Sequence, residues 1–202
     1  MEIQNHLLLK GDSKFKVTQT DTPNVGGKLA PRFLVIHFTA GNDAASSISW
    51  LRNPAAKASA HLVIDRKDGA VTQLAPFNKV TWHAGKSEWH ELIGLNQHSI
   101  GIELDNSGRL VREGGQWKTW TRRPVPDDQV VELTHPNETK PSGWHTYSEA
   151  QIASCLEAAV ALHAIYKFED ILGHEDIAPG RKVDPGPAFP MGSFKARVLG
   201  RE

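Results

Sequence analysis

The sequence predicts an α/β fold in one domain, and three stretches carry that expectation. Phe33-Leu34-Val35-Ile36-His37-Phe38 is a short apolar run rich in β-branched residues, the signal of a strand buried on both faces. Ser99-Ile100-Gly101-Ile102-Glu103-Leu104-Asp105 alternates, with Ile100, Ile102 and Leu104 facing one way and Gly101, Glu103 and Asp105 the other. Ser148-Glu149-Ala150-Gln151 is a capping-box pattern. Behind it Ile152, Cys155, Leu156, Ala159, Leu162 and Ile165 recur at helical spacing, so a helix running to about Tyr166 should lie on the sheet.

Composition narrows the function. The 202 residues suit one domain with a sizeable core. Lysine plus arginine and aspartate plus glutamate number 23 each, which leaves no electrostatic footprint for nucleic acid or an anionic membrane. The single cysteine, Cys155, excludes an intrachain disulfide and a four-cysteine zinc site. Its place on the apolar stripe makes it a buried small hydrophobe rather than a nucleophile. The first residues lack a basic n-region, and Leu7-Leu8-Leu9 stops at Lys10-Gly11-Asp12, so they read as neither signal peptide nor transmembrane span. The expected location is the cytoplasm, with delivery to the periplasm or wall by lysis or a dedicated secretion system as the alternative.

Residues 1–30 are polar, broken by Pro23 and Gly26-Gly27, and are expected to form an N-terminal arm leading into a domain over 31–202. His37 closes the first apolar strand and is followed by the turn Thr39-Ala40-Gly41-Asn42-Asp43; open α/β sheets build sites at such strand ends. The alternative is a core histidine bonded to a backbone carbonyl. Residues 44–51 suit a short helix capped by Asn42 or Asp43 and stopped at Asn53-Pro54. Residues 59–64 and 70–74 read as paired strands around the turn Asp65-Arg66-Lys67-Asp68-Gly69.

His61 sits in a strand that already has a partner and is better read as a structural hydrogen-bonding residue than as a ligand. Trp82-His83-Ala84-Gly85, followed by Trp89-His90, suits the wall of a groove for sugars or peptides, or equally an aromatic plug on the sheet. Glu103, in so apolar a strand, should have a pKa raised by desolvation toward general-base use, unless an arginine pairs with it. Residues 106–147 carry Gly108, Gly114-Gly115, Pro124, Pro126, Pro136, Pro141 and Gly143, and no helical period survives them. They are expected as a long loop inserted over the site, with Trp117, Trp120 and Trp144 touching substrate or packing the loop down.

The chain is organised around Gly173-His174-Glu175-Asp176-Ile177-Ala178-Pro179-Gly180-Arg181-Lys182-Val183-Asp184-Pro185-Gly186-Pro187. Its glycines and X-Pro bonds keep it out of a helix and let it fold back. If Lys182-Val183-Asp184 is extended, Lys182 and Asp184 lie on one side. With His37, the histidine and carboxylate make a set of two imidazoles and one carboxylate with an open fourth position, the pattern of a catalytic metal site. Zinc is the default for hydrolysis.

Taken with Val35-Ile36-His37, Ser59-Ala60-His61, Trp82-His83-Ala84-Gly85, the strand around Glu103, and Asp-Ile-Ala-Pro followed by Arg-Lys-Val-Asp-Pro-Gly-Pro, the chain resembles the zinc-dependent N-acetylmuramoyl-L-alanine amidases of the amidase-2 type, in their AmpD-like branch. The likeness covers roughly 31–105 and 148–198. It implies a central mixed β-sheet flanked by helices, shared with peptidoglycan recognition proteins and phage T7 lysozyme. It implies Zn2+ on His37, His174 and Asp184, Glu103 as catalytic acid/base and Lys182 as oxyanion stabiliser. His61, Trp82, His83 and Trp144 are the candidate substrate contacts. The implied substrate is peptidoglycan or a muropeptide, with no nucleic-acid or membrane partner and any inhibitory protein unknown. Two other readings compete: a non-catalytic peptidoglycan-recognition module, and a zinc endopeptidase acting on the stem peptide.

Overall fold

The computed structural model describes residues 1–201. In chain order its main elements are β1 (Val17–Gln19), β2 (Phe33–Phe38), α1 (Ala44–Leu51), β3 (Leu62–Ile64), β4 (Val71–Gln73), β5 (Ser99–Leu104), β6 (Arg109–Glu113), β7 (Gln116–Lys118), β8 (Pro124–Val125), β9 (Val130–Thr134), β10 (Pro141–His145), α2 (Glu149–Tyr166), β11 (Asp170–Gly173), α3 (His174–Ile177) and α4 (Met191–Leu199). Six strands form a central sheet in the order β11-β2-β5-β3-β4-β1. It is mixed: β2 is parallel to β5 and β11, β3 is parallel to β5, and β3 and β4 run antiparallel.

Side-chain alternation sorts β2 and β5 into a core face and a site face. Leu34, Ile36, Ile100, Ile102 and Leu104 are fully buried and pack with Cys155, Ala158, Ala159 and Leu162 of α2 and Phe194 and Val198 of α4. Phe33 and Val35, on the other face, meet Leu172, Leu95, Ala84 and Ile177. His37 and Glu103 follow the parity of that second face, and the parallel register sets them side by side. The helix is fixed by its N-cap, where the Ser148 side chain accepts from the Gln151 amide at 3.1 Å. Gln151 Nε2 then donates to the Ile64 and Asp105 carbonyls at 3.0 and 3.1 Å, locking the helix start to two strand ends. Cys155 is buried on the stripe, whereas Ile165, expected there, is exposed near the helix end.

Two segments differ from expectation. The N-terminal thirty residues are no detached arm: Glu2–Gln4 pairs with Leu7–Leu9, β1 extends the central sheet beside β4, and Val25–Lys28 pairs with Lys79–Thr81. Leu8 is fully buried, its amide donating to Gln73 Oε1 at 2.7 Å and its carbonyl accepting from Gln19 Nε2 at 2.6 Å. Strands of three or four residues are too short for a period to show in sequence. Within 106–147, expected as loop, β6 to β10 form a five-stranded antiparallel sheet in the order β8-β7-β6-β10-β9. Its breakers sit where strands tolerate them. Gly114 and Gly115 both adopt positive φ, 60° and 80°, in a two-residue hairpin between β6 and β7. Pro124 lies on the edge strand β8, and Pro141 opens β10.

No helix among the described residues is long and apolar enough to cross a membrane.

Candidate metal centre and active site

Three atoms able to ligate a metal converge at the C-terminal edge of the central sheet. His37 comes from the end of β2, His174 from the first turn of α3 directly after β11, and Asp184 from the turn-rich segment beyond. His37 Nδ1, His174 Nδ1 and Asp184 Oδ2 lie 2.9 Å from one another, and all three residues are buried.

The outer nitrogens of the two rings decide what this triangle is. His174 Nε2 faces the Ala84 carbonyl at 3.1 Å; a carbonyl only accepts, so Nε2 carries the proton and Nδ1 a lone pair. His83 Nε2 faces the Ser99 carbonyl and Ser99 Oγ at 3.4 and 3.3 Å, and that hydroxyl already donates to the Leu95 carbonyl. The His83 proton therefore sits on Nε2, leaving Nδ1 to accept from His37 Nε2 at 2.9 Å. His37 Nδ1 is then a lone pair too. Two imidazole lone pairs and a carboxylate oxygen thus meet with no proton to share, an arrangement that calls for a cation. The donor set fits a divalent transition metal, with His83 and the Ala84 carbonyl orienting the ligands from behind.

The electrostatics agree with a neutral His37 ring and an ionised Asp184. Burial, helped by the neighbouring His174, lowers the His37 pKa to about 4. Burial alone would raise Asp184, but hydrogen bonding and charge from His174 and His37 outweigh it and hold this carboxyl well below the usual range. Glu103 goes the other way: burial, then the Asp184 charge, raises it to about 8 against the opposing pull of Lys182. Glu103 Oε2 is buried and has no hydrogen-bond partner among the described residues. No arginine among the described residues pairs with it. Glu103, Lys182, His37, His174 and Asp184 line one hollow of about 250 Å3, so Lys182 and Asp184 do face the same space.

The candidate substrate contacts divide. Trp82 is half-buried and lines the hollow. His83 also borders it, but its ring nitrogens are committed to His37 and Ser99. His61 is fully buried and spent on structure: Nε2 bonds the Lys79 carbonyl at 2.9 Å, and Nδ1 meets the Gly101 amide at 3.1 Å and Thr81 Oγ1 at 2.9 Å. It is no substrate contact. Trp144 is likewise buried, stacked on His135 at 5.7 Å with Nε1 donating to the Leu133 carbonyl, and so packs the second sheet. Sequence reasoning missed Trp50, on the last turn of α1, which lines the hollow and is exposed. An indole on the polar side of a short helix was the available signal.

A family model described as N-acetylmuramoyl-L-alanine amidase, Amidase_2, matches residues 27–187. The N-acetylmuramoyl-L-alanine amidase AmiD of Escherichia coli is 32% identical over 192 residues, covering 90% of this chain and 59% of its own length. The 1,6-anhydro-N-acetylmuramyl-L-alanine amidase AmpD of Escherichia coli is 32% identical over 144 residues, covering 70% of this chain and 59% of its own length. The chain thus spans 59% of the length of each of these two curated relatives. Among solved structures, a selenomethionine AmpD derivative matches with a TM-score of 0.66 at 25% identity, over 98% of this chain and 99% of that one. AmpDh3 from Pseudomonas aeruginosa, in complex with anhydromuramic pentapeptide, matches with a TM-score of 0.61 at 29% identity, over 93% of this chain and 65% of that one. Fold, metal-type donor set and sequence identity converge: the chain belongs to the Amidase_2 family of N-acetylmuramoyl-L-alanine amidases.

Proposed function

We propose that this chain hydrolyses the amide bond between N-acetylmuramic acid and L-alanine in peptidoglycan or muropeptides, with Zn2+ held by His37, His174 and Asp184. The observation that carries the reading is the meeting of two imidazole lone pairs and a carboxylate beside an unpartnered Glu103 and Lys182. AmiD has been captured with the substrate anhydro-N-acetylmuramic acid-L-Ala-D-γ-Glu-L-Lys, which supplies the chemical class of the substrate.

When bound, zinc would activate water and polarise the scissile carbonyl. The chain's own groups do the rest. Glu103, poised by burial to hold or release a proton near neutrality, takes the proton from water and hands it to the departing L-alanine amine. Lys182 offsets negative charge developing on the carbonyl oxygen, a contribution of about 3–4 kcal/mol for one well-placed donor. His83 and the Ala84 carbonyl keep the two imidazoles in the ligating tautomer. A module that only recognised peptidoglycan would have no use for a buried, unpaired carboxylate at this point.

Mass spectrometry of products from intact sacculi and from a purified 1,6-anhydro muropeptide, with and without chelator, tests the reading. Free stem peptide beginning at L-alanine, formed only with metal, is expected. Cleavage inside the stem would make the chain an endopeptidase instead, and metal binding without cleavage would leave it a recognition module.

A further inference from the structure

The cleft does not end at the candidate metal centre. A second hollow of about 480 Å3 adjoins the first and shares Thr39, Ala40, Trp50, Leu51 and Glu103 with it. Its far wall comes from the second sheet, where the turn between β7 and β8 presents Trp120 and Thr121. Trp50 and Trp120 are 59% and 67% exposed, a large apolar area left in water beside a reaction centre. The turn is also held in place. Trp120 Nε1 donates to the Ala40 carbonyl at 2.5 Å, Thr121 Oγ1 to Asn42 Oδ1 at 3.0 Å, and Arg123 Nη1 to the Asn42 carbonyl at 3.3 Å. These bonds tie the second sheet to the loop after His37, so the indole is fixed rather than free to fold away.

We propose that this hollow is a saccharide subsite that takes the N-acetylhexosamine next to the muramoyl unit on a glycan strand, against the indoles of Trp50 and Trp120. The inference rests on the hydrolase reading above and deepens it. Charge decides between the two ends of the substrate. The stem L-Ala-D-γ-Glu-L-Lys bound by AmiD carries carboxylates and an ammonium group. Apart from Glu103, which belongs to the reaction centre, no charged side chain among the described residues lines the second hollow. Stem charges placed there would be desolvated without partners, which is costly. A neutral sugar instead offers C–H faces to indoles, and hydroxyl and acetamido groups to Thr39, Asn42 and Thr121. The chain should therefore favour substrates with at least two sugars over a lone muramoyl peptide.

The test uses the metal-loaded protein and a peptide-free N-acetylglucosaminyl-N-acetylmuramic acid disaccharide, with binding followed by calorimetry. Trp120→Ala and Trp50→Ala should each weaken binding by about tenfold, the scale of one lost indole contact, and Trp120→Phe should restore most of it. In parallel, kcat/KM for a disaccharide tripeptide should fall in Trp120→Ala by about tenfold more than kcat/KM for the monosaccharide tripeptide. Sugar binding indifferent to both substitutions, or equal losses on the two substrates, would overturn the subsite. A dimer that dissociates on Trp120→Ala with sugar binding unchanged would also overturn it, by making the face a contact between copies. Tryptophan-dependent sugar binding with no hydrolysis of either substrate would remove the hydrolase reading and leave the subsite standing.

Discussion

His135 Nε2 lies 2.6 Å from Glu175 Oε2, and through this contact the second sheet grips the residue next to His174. The same Glu175 oxygen accepts from the Gly186 amide at 3.1 Å. Two further contacts run alongside: the Trp144 ring crowds Gly186, and Tyr147 donates from its hydroxyl to the Pro185 carbonyl at 2.7 Å. The segment bearing His174 and Asp184 is thus clamped from one side by residues 135–147. His135→Ala would leave the largely buried Glu175 carboxylate short of a partner, at a cost of about 1–3 kcal/mol. Urea unfolding should show that loss, and chelator competition should show weaker metal retention. Lost stability with unchanged metal affinity would confine the clamp to holding the two sheets together.

His83 should matter to metal affinity without touching metal. It accepts from His37 Nε2 and so fixes which His37 nitrogen faces the ligand triangle. His83→Ala removes that acceptor and should cost about 10–100-fold in affinity, read by competition with a chromogenic chelator. His83→Asn, which keeps an acceptor, should recover part of it. Equal affinity in His83→Ala would show that packing alone orients His37.

Gly101 makes room for that ring. A Cβ there would stand 2.5 Å from His83 Cγ, too close for any real contact, and the atoms it meets all belong to that buried imidazole ring. Gly101→Ala should therefore push His83 off His37 and destabilise the fold by about 1–3 kcal/mol through overpacking. Proton NMR of the imidazole N–H signals would show the His37–His83 bond lost; retention of that signal would mean the strand yields instead.

The parts legible in sequence share a property: each was written in consecutive residues. The run ending at His37, the alternation around Glu103 and the cap at Ser148 appear where local pattern placed them. The chain also folds back from His174 to Asp184, but it opens that segment with the short helix α3, His174–Ile177, which the reading of its glycines and prolines excludes; those breakers act only from Pro179 onward. The second sheet was not legible, because its glycines and prolines were counted as loop signals, although Gly114-Gly115 is also a hairpin turn. Trp144 and His61 misled as candidate substrate contacts for a related reason, although the paired strand of His61 already pointed to a structural hydrogen-bonding role. Burial is settled by partners elsewhere in the chain, Lys79 and Thr81 for His61, Leu133 and His135 for Trp144. The exposure of Trp50 and Trp120 depends on the packing of two sheets, which no single stretch records.

Glu103 gives the metal-free protein a defined pH dependence. Its carboxyl would titrate at 4.5 in an unfolded chain but at about 8 in the fold, chiefly through burial and then through Asp184. A raised pKa means the folded state holds the proton more tightly. The stabilisation from protonated Glu103 is therefore fully present below pH 4.5, is lost as pH rises toward and through 8, and changes no further beyond. Asp105, raised to about 6 by burial and then by Asp65, acts in the same direction over a lower range, so the wild type alone cannot isolate Glu103. The comparison with Glu103→Gln does. Unfolding free energies of the two metal-free proteins, measured in urea across this range, should diverge as pH rises, with the wild type losing the additional stability. Metal should shrink the difference, because a cation at the triad draws the Glu103 pKa back down. Parallel curves for the two proteins would mean that Glu103 stays ionised in the fold. In the metal-loaded protein Glu103→Gln should also lower kcat by about 10²–10⁴-fold with metal content unchanged, since it removes the proton carrier and leaves the ligands in place.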